Sequence, residues 1–409
     1  MKLEKIHNTL LCRIEVLERK AYLSAVKMIR FLYFSGALPI ASICKGLKMS
    51  APKGVLLLNT LIEHGVLEKK GFGESNGGRK PELYGIANES FYVLAISMDI
   101  YQTRMAFFNC SNEKITETRV FEIELNNEME TLKALLLNID AYFQETGIDR
   151  KAVLGVGLSI PGLVNAEKGI NHTYLNFGKK GLKQLLSEQL QLPVFIENDA
   201  NAIALAIWRS GAAKNKENVL VLYLDWGIGL GLILDGKLYR GATGFAGEFS
   251  HIPIEEAGEL CICGKTGCLQ TVAAGTALVK LAQKGILDGR HTMMATLHNM
   301  DVNKLSVKDV VDAALKGDQF AISLLSKVGE SLGKGIAVLI QLVNPQMIVL
   351  AGQMSEANQL LITPIQQAVN TYTMSQIREQ TFIAVTNPGN EIGLYGAMAV
   401  VMEDVFTLF

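Results

Sequence analysis

The 409-residue sequence predicts an α/β body of two similar lobes preceded by a winged helix-turn-helix domain. Three observations carry this. Residues 1–87 hold 10 Lys and 4 Arg against 7 Glu and no Asp, a formal +7, so the remaining chain carries −8 of the overall −1. Within the basic part, two helical runs precede two strand-like runs joined by a glycine-rich tip. The acidic part alternates strands with helices and repeats a strand, glycine turn, strand order. A basic head on an acidic body suits contact with a polyanion, although a solvated surface produces the same imbalance.

The composition, 49% hydrophobic and 19% charged, excludes a disordered or fibrous chain. The first residues, MKLEKIHNTLLCRIEVLERK, break every apolar run with charge, which argues against a signal peptide. No uncharged apolar run approaches the roughly 18 residues of a membrane helix. A cytoplasmic location follows, where clustered cysteines are more often metal ligands than disulfides.

In the head, the apolar stretch AVKMIRFLYF leads to a short helix at about 40–46, a turn through Leu47–Met49, and a second helix. Ser50 is a good N-cap for that helix, Leu57, Leu58, Leu61 and Ile62 give it an apolar face, and Gly65 closes it. Ser50, Ala51, Pro52, Lys53 and Gly54 are small or basic, as suits the start of a recognition helix in a major groove. VLEKK and ELYGI then form a hairpin whose long tip, GFGESNGGRKP, carries Arg79 and Lys80 within reach of phosphate or a minor groove. Operator DNA is the expected partner, with a winged-helix dimerisation module as the alternative.

From residue 88 the pattern is that of the body. FYVLAISMDI and TRMAFFNC are consecutive strands, METLKALLLNIDAYFQE is an amphipathic helix, and AVLGVGLSIPGLV is a strand ending in a Gly/Pro turn. VLVLYLDWGIGLGLILDG repeats the strand, glycine turn, strand order.

The winged head, PVFIENDANAIALA (193–206), GATGFAGEFSH (241–251), CICGKTGC (261–268) and NPQMIVLAG (344–352) together resemble the ROK family of repressors and sugar kinases. The resemblance spans nearly the whole chain and implies an actin/hexokinase-like, two-lobed body with a sugar cleft. It gives the expected organisation: a DNA-binding head at 1–87, a first lobe at 88–206 to which 388–409 returns, and a second lobe at 207–387. It also assigns zinc to His251, Cys261, Cys263 and Cys268. Three thiolates and an imidazole suit a tetrahedral structural ion with no open position for a catalytic water. A disulfide or a chance cluster is the alternative.

By the same resemblance Asn198, Asp199, Glu248 and His251 are sugar-hydroxyl ligands, since a carboxylate beside an amide matches groups that both donate and accept. In the kinases the aspartate at position 199 is also the general base. Gln270 stands where the family commonly has Glu, a departure that bears on which sugar is held. The kinases' D-x-G-G-T phosphate turn reads Asp99-Ile100-Tyr101-Gln102-Thr103 here, and their G-T-G-x-G-x-G turn reads Asp225-Trp226-Gly227-Ile228-Gly229-Leu230-Gly231. The first turn has lost both glycines, while the second keeps its later ones, which with Ala351-Gly352 favour the kinase alternative. Trp226 replaces the hydroxyl donor and Asp225 adds a carboxylate, so anion, bulk and a missing donor oppose ATP, and phosphoryl transfer depends on such positioning. The expected function is a sugar-responsive DNA-binding repressor with a catalytically inactive body, binding as a homodimer or higher homo-oligomer. An active sugar kinase carrying a winged helix, and an interaction hub that does not bind DNA, are the alternatives.

Overall fold

In the computed structural model, which describes residues 19–74, 80–178, 180–211, 213–387 and 389–408, the apolar stretch of the head is one helix, α1 (Arg19–Ser35). Ala25, Met28, Ile29 and Leu32 recur along it at helical spacing and are buried. A two-residue strand, β1 (Leu38–Pro39), leads into α2 (Ile40–Gly46), and a turn with Lys48 at φ 50° leads into α3 (Ala51–Glu63). Ser50 occupies the N-cap position, but its side chain makes no capping bond, so it contributes there through its extended backbone alone. The antiparallel strands β2 (Leu67–Phe72) and β3 (Glu82–Ile86) follow, and β1 adds to them in the order β1-β3-β2. Three helices and this small sheet make a winged helix.

The described chain forms two compact units. One runs to Asn198 and resumes at Gly393, and the other is Asp199–Ile392. Beyond the head, the first contains β4 (Tyr92–Met98), β5 (Gln102–Asn109), β6 (Arg119–Glu122), α4 (Met129–Thr146), β7 (Val153–Ile160), a small hairpin of β8 (Val164–Asn165) and β9 (Ile170–Asn171), α5 (Leu182–Leu190) and β10 (Val194–Asn198). Leu94, Ile96, Val156 and Leu158 of the sheet share a core with Leu132, Leu135 and Ile139 of α4 and with Leu182 and Leu186 of α5.

The second unit contains α6 (Asp199–Ser210), β11 (Val219–Leu224), β12 (Ile228–Leu234), β13 (Lys237–Leu238), α7 (Leu269–Ala273), α8 (Gly275–Leu287), α9 (Val307–Leu315), α10 (Gln319–Val343), β14 (Met347–Ala351), α11 (Gln359–Tyr372), α12 (Ser375–Arg378) and β15 (Phe382–Val385). Its sheet packs one face on α8, α9 and α10 through Leu220, Leu222 and Ile348. A last helix, α13 (Ile392–Asp404), belongs to the first unit from Gly393 onward and packs on β7, where a Cβ on Gly157 would stand 2.0 Å from the Ala397 carbonyl oxygen.

The two large sheets have one topology. Their orders are β10-β7-β4-β5-β6 and β13-β12-β11-β14-β15. In each, the first three strands form an antiparallel meander, and the fourth and fifth add in parallel on the other side of the first. The recurrence in the sequence is thus a repeated structural unit. Among the described residues no helix is long and apolar enough to cross a membrane.

Candidate functional site

The loop after β13 is anchored by its apolar middle. Phe249 and Ser250 are buried in a short turn, and the Phe249 ring lies where a Cβ on Gly335 of α10 would come within 2.8 Å of it. Burying the middle leaves Glu248 and His251 at the two ends of the turn. The two rings of contact around His251 differ: Nε2 lies 3.8 Å from Glu248 Oε2, and Nδ1 lies 3.5 Å from Cys261 Sγ. Partial burial holds the Glu248 carboxyl above its ordinary range, with His251 pulling it down and the Asp199 carboxylate pushing it further up.

The ligand atoms of His251, Cys261, Cys263 and Cys268 all lie within 4.8 Å of one another. Cys263 Sγ and Cys268 Sγ are 3.6 Å apart. That is far beyond a disulfide bond of about 2.05 Å, and close to the roughly 3.7 Å edge of a tetrahedron with metal–sulfur bonds of about 2.3 Å. The donor set therefore fits a metal. Without an ion the arrangement carries a cost, because burial and the neighbouring thiols Cys263 and Cys261 push the Cys268 thiol up to about 12. A bound dication removes that conflict by favouring the thiolates.

Tight backbone turns hold the loop. Cys261 N–H donates to the Lys265 carbonyl at 2.7 Å and Gly264 N–H to the Cys261 carbonyl at 2.9 Å. Gly267 has φ 72°, and a Cβ there would fall 1.7 Å from the Glu255 carbonyl oxygen, so only glycine fits. Cys268 is the N-cap residue of α7, which places Gln270 in its first turn. The Gln270 amide lies beside the β11–β12 turn, with Nε2 3.6 Å from where a Cβ on Gly227 would be.

Asp199 opens α6, its Oδ1 accepting from the Ala200 N–H at 2.9 Å. Asn198 ends β10, and its Nδ2 donates to the Gly162 carbonyl at 3.0 Å. The structure thus puts Asp199 and His251 each within electrostatic reach of Glu248, and Asn198 directly precedes Asp199.

In both turns that align with the kinases' phosphate turns, an aspartate of the turn bonds to backbone N–H groups of the same turn. Asp99 Oδ1 accepts from the N–H groups of Tyr101 and Gln102 at 2.9 and 2.7 Å, and Asp99 Oδ2 pairs with Arg104 at 3.2 Å. In the second turn Asp225 Oδ1 accepts from the Trp226 N–H at 3.0 Å, and Tyr223 OH donates to Asp225 Oδ2 at 3.3 Å. Asp99 thus takes two backbone donors of the first turn, and Asp225 takes one of the second.

Gly229 and Gly231, which in the sequence look like survivors of a phosphate turn, have a packing role. A Cβ on either would meet α6, at 2.6 Å from Ala200 Cβ and 2.2 Å from Ala204 Cβ respectively. They let the helix lie close on β12.

In the head, Ser50, Ala51, Pro52 and Lys53 are all exposed. Gly54 departs from expectation: it is buried, and a Cβ there would stand 2.2 Å from Cys44 Sγ, so it seats α3 on α2 rather than facing outward. Leu56 and Asn59, which the sequence reading did not single out, are exposed on α3. With Pro52 they follow the i, i+4, i+7 spacing of one face. Lys80 is exposed two residues before β3, and Arg79 lies outside the described residues.

A winged helix joined to a body of duplicated five-stranded sheets, with a Cys3His cluster beside a carboxylate-rich loop, defines the class of a two-unit α/β protein with a sugar-kinase-like body. The sequence profile of the ROK family matches residues 93–404, and the chain belongs to that family. A glucokinase of Halalkalibacterium halodurans is 35% identical over 250 residues, covering 60% of this chain and 74% of that one. A xylose repressor of Caldicellulosiruptor bescii is 27% identical over 354 residues, covering 86% of this chain and 88% of its own. The crystal structure of a ROK family transcriptional regulator, a homolog of the E. coli MLC protein, superposes with a TM-score of 0.82 over 96% of this chain and 98% of that one. At 24% identity this last likeness is one of fold.

Proposed function

We propose that the protein is a sugar-responsive DNA-binding transcriptional regulator, a repressor, whose ROK body binds a sugar without phosphorylating it. The observation that carries this is that the two turns aligned with the kinases' phosphate turns carry Tyr101 and Gln102 in place of two glycines and Trp226 in place of threonine, with Asp225 added beside it, in a chain that also bears a winged helix. The likeness to a xylose repressor across most of both chains supports it.

In this reading residues 1–87 are the DNA-binding domain. Ser50, Ala51, Pro52 and Lys53 enter the major groove with Leu56 and Asn59 behind them. Asparagine pairs with adenine and an apolar side chain meets the thymine methyl group, while Arg79 and Lys80 contact phosphate or the minor groove. Asn198, Asp199, Glu248, His251 and Gln270 hold the sugar hydroxyls. One zinc ion per chain, held by His251, Cys261, Cys263 and Cys268, braces the loop that carries Glu248 and the helix that carries Gln270. Two copies read two half-sites in the cytoplasm.

The likeness to a glucokinase favours a second reading, an active sugar kinase with a DNA-binding head. One experiment separates them. The protein is expected to retard a duplex selected from a random-sequence pool and to release no ADP from ATP in the presence of glucose, xylose or N-acetylglucosamine. Sugar-dependent ADP release at about 1–100 per second, the ordinary kinase range, would establish the kinase instead.

A further inference from the structure

A winged helix joined to a body by one stretch of chain is tethered but free to turn. Here the connector, residues 87–91, is not the only link. The turn after β5 reaches the head with three consecutive side chains. Cys110 Sγ donates to the Ala87 and Asn88 carbonyls at 2.8 and 3.2 Å, Ser111 Oγ donates to Asn88 Oδ1 at 2.9 Å, and Asn112 Oδ1 accepts from Tyr33 OH of α1 at 2.6 Å. Lys70 Nζ of β2 donates to the same Asn88 Oδ1 at 2.8 Å. One turn therefore touches the connector, joins the wing through Asn88, and binds the scaffold helix.

The turn is itself rigid. Asn109 Oδ1 accepts from the N–H groups of Ser111 and Glu113 at 2.9 and 3.0 Å, and its Nδ2 donates to Glu113 at 2.8 Å. Asn112 sits at φ 64°, a conformation that asparagine tolerates. A second support comes from the C-terminal segment. The Phe406 ring lies 6.2 Å from the Tyr33 ring and 6.5 Å from the Phe34 ring, and Tyr33 OH also approaches Met398 Sδ at 3.8 Å. Met398 is on α13, which is pressed on the sheet at Gly157.

The head is thus attached at α1, at the wing and at the connector. Because α1 packs on both α2 and α3, holding α1 holds the helix offered to DNA.

We propose that the Asn109–Glu113 turn and the end of the C-terminal segment form a latch that fixes the orientation of the winged head on the first unit. The latch's consequence for DNA reading rests on the regulator reading above, but the latch itself does not. A fixed head binds DNA without first losing orientational freedom, and it makes the separation of two heads a property of the body.

The test uses the full chain with Tyr33→Phe, Ser111→Ala and Asn112→Gly combined. Each change removes a latch bond: the first keeps the ring, and glycine keeps the positive φ. Hydrogen exchange of residues 87–91 and of the end of α1 is expected to speed up on the order of tenfold, while α4 and the second unit are unchanged. Unchanged exchange at those segments would overturn the latch. Ser111→Ala alone, which leaves α1 untouched, should give a smaller increase confined to the connector, and keeps the test decisive if the combined variant folds poorly. An equal rise across α4 would mean general destabilisation and would also count against it. The exchange readout needs neither DNA nor sugar. If the wild-type chain retards no duplex yet shows this exchange pattern, the regulator reading fails and the latch stands.

Discussion

Cys268→Ser is expected to leave the purified protein with far less metal and a markedly lower thermal unfolding midpoint, read by elemental analysis and calorimetry. Structural zinc sites supply roughly 10–16 kcal/mol through four ligands, so losing one ligand weakens binding on the order of a hundredfold. The effect should spread beyond the ion. Cys268 holds the N-cap position of α7 without a side-chain capping bond, and its Sγ lies 3.5 Å from the His251 carbonyl oxygen, so it is loss of the ion that would loosen the start of α7, with Gln270, and His251. Metal uptake should also weaken as pH falls, because the Cys268 thiol, pushed up to about 12 in the metal-free cluster, must surrender its proton to bind. A wild-type protein that unfolds at the same temperature with and without zinc, or a Cys268→Ser variant that unfolds at the temperature of the zinc-loaded wild type, would refute the structural role.

Asp199→Ala is expected to abolish the sugar response while leaving sugar-free DNA binding intact. A charged hydrogen bond contributes about 1.5–3 kcal/mol, and a carboxylate meeting two hydroxyls makes two of them, so the sugar dissociation constant should rise about a hundredfold or more. At a sugar concentration of 100 times the wild-type constant, ligand stabilisation is about 2.7 kcal/mol, and in the variant it should fall to about 0.4 kcal/mol. Thermal shift reads this directly. In the wild type, coupling between sugar and DNA should amount to roughly 5- to 150-fold in affinity, and by reciprocity DNA must change sugar affinity by the same factor. An operator affinity that stays constant up to saturating sugar would end the regulator reading in this form.

What the sequence made legible is mostly local. The short helix, the turn and the second helix of the head follow from residues close together, and so does the Cys–x–Cys–x–x–x–x–Cys loop. The repeated strand order could be read because each lobe repeats the same alternation of apolar runs and glycine turns. Gly229 and Gly231 could not be read correctly in isolation. Whether a glycine faces phosphate or a helix depends on what packs over the strand, and the α6 residues Ala200 and Ala204 that do so come nearly thirty positions earlier in the sequence. The same limit applies to Gly54, whose neighbour Cys44 lies across the turn. The latch was beyond sequence reasoning altogether, since Tyr33 meets Asn112 across 79 positions and Met398 across 365. Only the loss of the phosphate glycines at 99–103 hinted at the aspartate bonds, and it did not show that two backbone donors there were already taken.

The return of α13 to the first unit bears on how the protein is made. Residues 199–392 are contiguous and can close their own core as soon as they leave the ribosome. The first unit cannot, because its sheet lacks the helix that packs at Gly157 until residues 393–408 emerge, more than three hundred positions after the head. Domains made first generally fold first, but here the earliest-made unit is the last to be completed. The head's aromatic seat on Phe406 arrives at that same late moment. A nascent or prematurely ended chain therefore carries a winged helix held by the Asn109–Glu113 turn without the support of Met398 and Phe406.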